Sequence, residues 1–261
     1  MQNLFPSEIK GLILDMDGVL WRDQEAIGDL PAIFREINRR GWLVSLATNN
    51  ATRTAVQFAE KLAGFGVNLD SKQIVNSSQA TAEYLRRRHP QGGPVYVVGE
   101  QGLLSELAAR GFLPSEEQPL AVVVGLDRTI TYEKLKKASL FIRAGTPFIA
   151  TNPDKTYPTP EGQAPGAGTF VAAVAAASDG DPVIIGKPEP EMYRLALLRM
   201  GLEPAQVLVV GDRLETDIVG AQQLGCYTAV VLSGVSSPEQ VAAWQPAPDF
   251  IAKDLSSLLG L

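Results

Sequence analysis

The chain has 261 residues, 45% of them hydrophobic and 20% charged, enough for one large domain or two modest ones with proper cores. A net charge of -6 disfavours nucleic acid polymers and anionic membrane surfaces, and no apolar run approaches the ~20 residues that span a bilayer, so neither is expected as a partner. The one cysteine, Cys226, excludes an intrachain disulfide, and the opening "MQNLFPSEIK" carries no basic leader or long apolar segment, so the expected compartment is the cytoplasm.

Short β-branched or leucine-rich runs alternate with helical patterns along the chain, the mark of βαβ units and parallel sheets. The first strand is "GLILD". A helix around Leu30 to Arg40 follows, stopped at Gly41, and "WLVSLATNN" is the next strand. "TRTAVQFAEKLAGFG" reads as an amphipathic helix closed by Gly64 and Gly66. A second alternation then begins: "VYVVG", a helix from Leu103 to Arg110, "LAVVVGLD", a helix from Tyr132 to Arg143, and "PFIAT". The Pro/Gly-rich passage "NPDKTYPTPEGQAPGAG" leads to an alanine helix, and the strands "PVIIG", "VLVVGD" and "TAVVL" resume the opening pattern.

The expected fold class is α/β: a doubly wound, Rossmann-like parallel-sheet domain, residues 1–78 plus 169–261, interrupted by a smaller α/β domain over residues 79–168. One large mixed sheet is the competing arrangement.

Open parallel sheets bind ligands beyond the carboxyl ends of their strands, so polar residues directly after apolar runs are the candidates for chemistry. Four places qualify: Asp15 and Asp17; Thr48 with Asn49 and Asn50; Lys187; and Asp212 with Asp217. Taken alone, Asp-x-Asp-Gly is also a common turn, Thr48 could cap a helix, Lys187 could be a solvated strand-end lysine, and Asp217 could be a helix N-terminal carboxylate. Together they supply carboxylates, a hydroxyl and an ammonium. A cluster of Asp15, Asp17 and Asp212 would repel itself unless a cation compensated it, and oxygen-only donors suit Mg²⁺, which travels with phosphate groups.

These four segments, "DMDGVL", "LATNN", "GKPEP" and "GDRLETDI", resemble the four motifs of the haloacid dehalogenase superfamily, in order and over nearly the whole chain. The long insert, with "ATNPD", "PGAG" and "GDRLETD", resembles the NagD-like, p-nitrophenylphosphatase branch with its large α/β cap. The resemblance implies that Asp15 attacks phosphorus to give an aspartyl-phosphate, while Asp17 protonates the leaving oxygen, later activates water, and lends only its backbone carbonyl to the metal. It implies Thr48, with Asn49 and Asn50, as donors to phosphoryl oxygens, Lys187 as a compensating charge and Asp212 as a metal ligand. Asp217 would act through a metal-bound water or by orienting neighbours.

The resemblance also turns Asn152, Asp154 and Tyr157 toward the substrate, where a proline or Asx turn is the competing account. Specificity should reside in the cap, with hinges near Ser78 and Gly168.

"GAGTFV", Gly166 to Val171, imitates a dinucleotide fingerprint but follows a Pro-rich loop, "RRRHP" with His89 reads as a solvated helix end, and Cys226 reads as a small core hydrophobe. The expected activity is Mg²⁺-dependent hydrolysis of small phosphate monoesters: p-nitrophenyl phosphate, sugar phosphates or nucleoside monophosphates. The alternatives are a phosphomutase of the same superfamily and a non-catalytic phospho-receiver or binding module. The sequence leaves a homodimer open.

Overall fold

The computed structural model describes residues 5–159 and 161–261. The first four residues, within the opening segment inspected for a leader, and Pro160 of the Pro/Gly-rich passage lie outside the described residues. The chain divides into two compact units. The first comprises Met1–Thr48, Ala55–Val75 and Pro188–Leu261, and the second Asn49–Thr54 and Asn76–Lys187.

The first unit is built on a six-stranded sheet whose order across the sheet is Phe250–Ala252, Tyr227–Val231, Val207–Gly211, Gly11–Leu14, Leu43–Thr48 and Ile74–Asn76, the last reaching one residue past the unit. Gly11–Leu14 and Val207–Gly211 are buried along their whole length, which explains why they read as unbroken apolar runs and not as alternating ones. Gly11–Leu14 pairs parallel with both neighbours, and Leu14 stands opposite Leu46 on one side and Val210 on the other. The chain moves to one side for its next strand and returns on the other much later, so the winding reverses at Gly11–Leu14. Such a switch point opens a crevice at the strands' carboxyl ends.

The flanking helices follow their sequence signals. Leu30–Arg39 starts where the Asp29 side chain accepts from the Ala32 N–H at 2.9 Å, with Pro31 in the first turn, and buries Leu30, Ile33, Phe34 and Ile37. Ala55–Gly64 buries Ala55, Phe58 and Leu62.

The second unit has its own five-stranded sheet, ordered Val183–Ile184, Phe148–Ala150, Val122–Val124, Gly93–Val98 and Phe112–Pro114. Two features depart from the expected boundary at residue 168. The alanine-rich helix Ala167–Ser178 buries Val171 and Val174 in one cluster with Val122, Val124 and Phe148, and "PVIIG" adds Val183–Ile184 to the edge of this sheet, pairing parallel with Ile149 and Ala150. The unit therefore runs on to Lys187. The Pro/Gly-rich passage also holds regular structure, an antiparallel ladder between Thr156–Thr159 and Gly162–Pro165. No helix among the described residues is long and apolar enough to cross a membrane.

Candidate active site

At the switch point of the first unit, Asp15 directly follows Leu14, its N–H donating to the Val210 carbonyl at 2.9 Å, and Asp212 directly follows Gly211. Asp212 is 2% exposed, and its Oδ2 accepts from the Val235 N–H at 2.8 Å. That oxygen fits against Gly234, where a β carbon would come within 1.9 Å of it. Asp217 lies in a π-helical turn, Leu214–Ile218, and is equally buried; its Oδ2 accepts from the Arg213 N–H at 3.1 Å, and its backbone carbonyl accepts from the Tyr193 hydroxyl at 3.0 Å. Single-turn π-bulges of this kind recur at functional sites because they turn a side chain that a regular helix would aim elsewhere.

One carboxylate oxygen each from Asp15, Asp212 and Asp217 falls within 4.8 Å of the others. Three anionic oxygens this close repel, and a hard divalent cation compensates such a set better than a soft one. The donor chemistry thus fits the metal expected from the sequence. Asp217 joins this cluster through its own carboxylate.

The Asp17 carboxylate is absent from the cluster. Asp17 is exposed, and its Oδ1 accepts from the Trp21 indole N–H at 2.8 Å. Trp21 is 1% exposed and carries the Lys61 ammonium 4.2 Å from its ring centroid. Sequence reasoning did not single out Trp21, although an aromatic four residues after the second aspartate was the available signal. Thr48 closes the Leu43–Thr48 strand and is 3% exposed.

The remaining predicted residues belong to the second unit, and most of them converge. Asn49 Nδ2 donates to Asp154 Oδ2 at 3.1 Å and to the Lys187 carbonyl at 3.0 Å, while its Oδ1 accepts from the Lys187 N–H at 2.8 Å. The Asn49 carbonyl accepts from Asn152 Nδ2 at 2.8 Å, and Asn152 Oδ1 accepts from the Asp154 N–H at 3.1 Å. Lys187 is 3% exposed, so it is not a solvated strand-end lysine. Asn50 closes an Asx turn, its Oδ1 accepting from the Thr52 N–H at 3.0 Å and hydroxyl at 2.7 Å.

Tyr157 is engaged elsewhere in the unit, beside Arg128. The Arg128 guanidinium is clasped by both Glu100 oxygens at 2.7 Å, which raises its pKa and holds the Glu100 carboxyl below its ordinary value against the opposing effect of burial.

The features set aside from the sequence behave accordingly. The arginines of "RRRHP" are exposed in the last turn of Ser77–Arg88, with Arg86 paired to Glu83 and Arg88 over the Tyr84 ring. "GAGTFV" opens Ala167–Ser178 after an antiparallel strand, whereas a dinucleotide fingerprint follows a parallel one. Cys226 is buried, and desolvation pushes its thiol pKa up to about 12.

An α/β sheet with carboxylates gathered at its switch point makes a site suited to a hard divalent cation, and comparison with known proteins gives the class. Residues 12–113 match the haloacid dehalogenase-like hydrolase family and residues 184–258 the HAD-hydrolase-like family. The acid sugar phosphatase of Staphylococcus epidermidis is 35% identical over 245 residues, 94% of each chain. Among solved structures, NagD from E. coli K-12 matches with a TM-score of 0.89 at 35% identity, covering 95% of this chain and 97% of its own. A 4-nitrophenylphosphatase from Thermotoga maritima matches at 0.92 and 32%, covering 97% of both chains. The chain belongs to the haloacid dehalogenase-like hydrolases and is a phosphatase of their NagD and nitrophenylphosphatase type.

Proposed function

We propose that this phosphatase hydrolyses small phosphate monoesters, with Mg²⁺ bound, through an aspartyl-phosphate on Asp15. The observation that carries the reading is the division between two neighbouring carboxylates. Asp15 joins Asp212 and Asp217, while Asp17 stands outside that cluster, hydrogen-bonded to Trp21. A carboxylate among compensated anions stays ionised and suits nucleophilic attack, and one outside is free to carry a proton.

An Asp15 oxygen attacks phosphorus as the bond to the leaving oxygen breaks, and Asp17 gives that oxygen its proton. In the second half Asp17 takes a proton from water, the water oxygen bonds to phosphorus, and the bond to Asp15 breaks, releasing inorganic phosphate. The Thr48 hydroxyl donates to a phosphoryl oxygen, and the Lys187 ammonium offsets charge on Asp15 and the phosphoryl group. The carboxylates of Asp15, Asp212 and Asp217 and the Asp17 carbonyl would hold the metal. When bound, Mg²⁺ supplies positive charge against the carboxylates and the transferring phosphoryl group.

Because the acid sugar phosphatase relative spans almost the whole chain, sugar phosphates are the favoured substrates, with nucleoside monophosphates next. Phosphate release is to be screened against sugar phosphates, nucleotides and phosphoamino acids, with p-nitrophenyl phosphate as reference. The expected result is Mg²⁺-dependent turnover with sugar phosphates leading. An isomerised sugar phosphate in place of free phosphate would establish a mutase, and no turnover of any monoester would leave only a binding module.

A further inference from the structure

The sequence makes Asn49 a donor to substrate, but the structure gives its amide other work. Both donor hydrogens are engaged, by Asp154 Oδ2 and the Lys187 carbonyl, and the amide oxygen accepts from the Lys187 N–H. Asn49 therefore pairs with one peptide unit on each side of the Lys187 α carbon, as a neighbouring strand would, across 138 residues of sequence.

The rest of the network makes this grip rigid. The Asn49 carbonyl is held by Ser77 Oγ at 2.7 Å and by Asn152 Nδ2 at 2.8 Å. The approach requires glycine at 186, because a β carbon there would stand 2.6 Å from Asn49 Oδ1 and 2.5 Å from the Thr151 carbonyl. Asn49 is 8% exposed and Lys187 3%. Water therefore has little access to these backbone groups, and an unmade hydrogen bond among them would carry its full desolvation cost.

We infer that Asn49 is a positioning residue, which fixes the backbone of Lys187 from both sides so that its side chain leaves the backbone in a single direction. The inference rests on the proposed phosphatase role of Lys187. A long, flexible lysine has several rotamers, and every one of them starts from the Cα–Cβ bond, so a shift of the backbone at Lys187 displaces the ammonium in all of them. Displacing a catalytic group by about 1 Å is enough to cost ~10²-fold in rate.

The test is a double-mutant cycle in the full-length enzyme with Mg²⁺ and p-nitrophenyl phosphate, comparing wild type, Asn49→Ala, Lys187→Ala and the double variant. Asn49→Asp serves as a second probe, keeping the side chain's size and one acceptor for the Lys187 N–H while losing both donors. Circular dichroism and thermal unfolding establish which variants are folded.

The expected result is a loss of roughly ten- to a hundredfold for either Asn49 variant, mainly in kcat, that disappears in the Lys187→Ala background. Losses that multiply would show that Asn49 does not act through Lys187 and would overturn the inference while leaving the phosphatase reading intact. Full activity in Lys187→Ala would overturn both the role of Lys187 and the inference built on it.

Discussion

Gly211 and Asp217 share a space that holds only one β carbon: an added one at 211 would lie 2.2 Å from that of Asp217. The last residue of the Val207–Gly211 strand thus decides whether the π-helical turn can bring Asp217 to the cluster. Gly211→Ala is expected to lower stability by about 1–3 kcal/mol through overpacking and to raise the Mg²⁺ concentration needed for half-maximal activity. Gly64→Ala is the control, since nothing lies within 4 Å of a β carbon there and Gly64 ends a helix. It should leave both quantities near wild type. Thermal unfolding and a Mg²⁺ titration check the pair, and an unchanged Mg²⁺ requirement in Gly211→Ala would remove Asp217 from the metal site.

The two roles assigned to Asp15 and Asp17 separate with the leaving group. Asp15→Asn should fold and lose activity on every substrate by roughly 10³-fold or more, because no phosphoenzyme can form. Asp17→Asn should depend on the ester. p-Nitrophenolate leaves without a proton, so phosphoenzyme still forms but hydrolyses slowly, giving a burst of about one nitrophenolate per enzyme molecule. A sugar alkoxide needs the proton, so no burst should accompany sugar phosphates. Rapid-quench measurement of both substrates tests this, and equal bursts would argue against Asp17 as the acid.

How far the site could be read from sequence follows from how each residue is positioned. Asp15, Thr48 and Asp212 each lie at or just past the end of a buried strand, so an apolar run followed by a polar residue announces them. Asp217 is announced together with Asp212, but its direct place in the carboxylate cluster, where an indirect role was expected, was not legible, because no helical period signals a π-helical turn. "PVIIG" was assigned to the wrong sheet because an edge strand paired over two residues has the same apolar composition as a central one. The grip of Asn49 on Lys187 was invisible for another reason: side-chain bonds across 138 residues leave no local pattern.

Asp127 offers a pH test away from the proposed chemistry. It is fully buried, accepting from Lys134 Nζ and Thr129 Oγ1, both at 2.7 Å, and from the Thr129 N–H at 2.9 Å. Burial works against its ionised form, but Lys134 and Thr129 outweigh that, and its pKa lies below the ordinary value. A lowered folded-state pKa means stabilisation that is complete above the unfolded value, about 4, and is lost as pH falls through the folded one. Asp127→Asn should therefore cost about 1–3 kcal/mol at neutral pH and less as the solution is acidified below pH 4. Urea unfolding at several pH values checks it, and a cost independent of pH would mean that packing, not charge, is what Asp127 contributes.

Cys226 should be chemically silent while the protein is folded. With its thiol pKa pushed up to about 12 by burial, almost no thiolate exists at pH 8, and the thiolate is the species that alkylating agents attack. Iodoacetamide at pH 8 is expected to leave the native enzyme unmodified and active, and to label Cys226 fully once denaturant is added. Rapid labelling and inactivation of the native enzyme would mean that the helix end preceding Tyr227–Val231 opens readily.

The three carboxylates also make a prediction about stability, independent of turnover. Oxygens of Asp15, Asp212 and Asp217 within 4.8 Å repel one another in the metal-free protein, so a cation that binds them only when they are assembled must stabilise the fold. Mg²⁺ at a hundred times its dissociation constant should add about 2.7 kcal/mol, seen as a concentration-dependent rise in Tm that EDTA reverses. Asp212→Asn removes one of the repelling charges and keeps the side chain's size. Its metal-free form should be at least as stable as that of the wild type, while the rise with Mg²⁺ shrinks or disappears. A variant that is less stable without metal yet gains as much from Mg²⁺ as the wild type would show that Asp212 holds its loop through Val235 and contributes nothing to the ion.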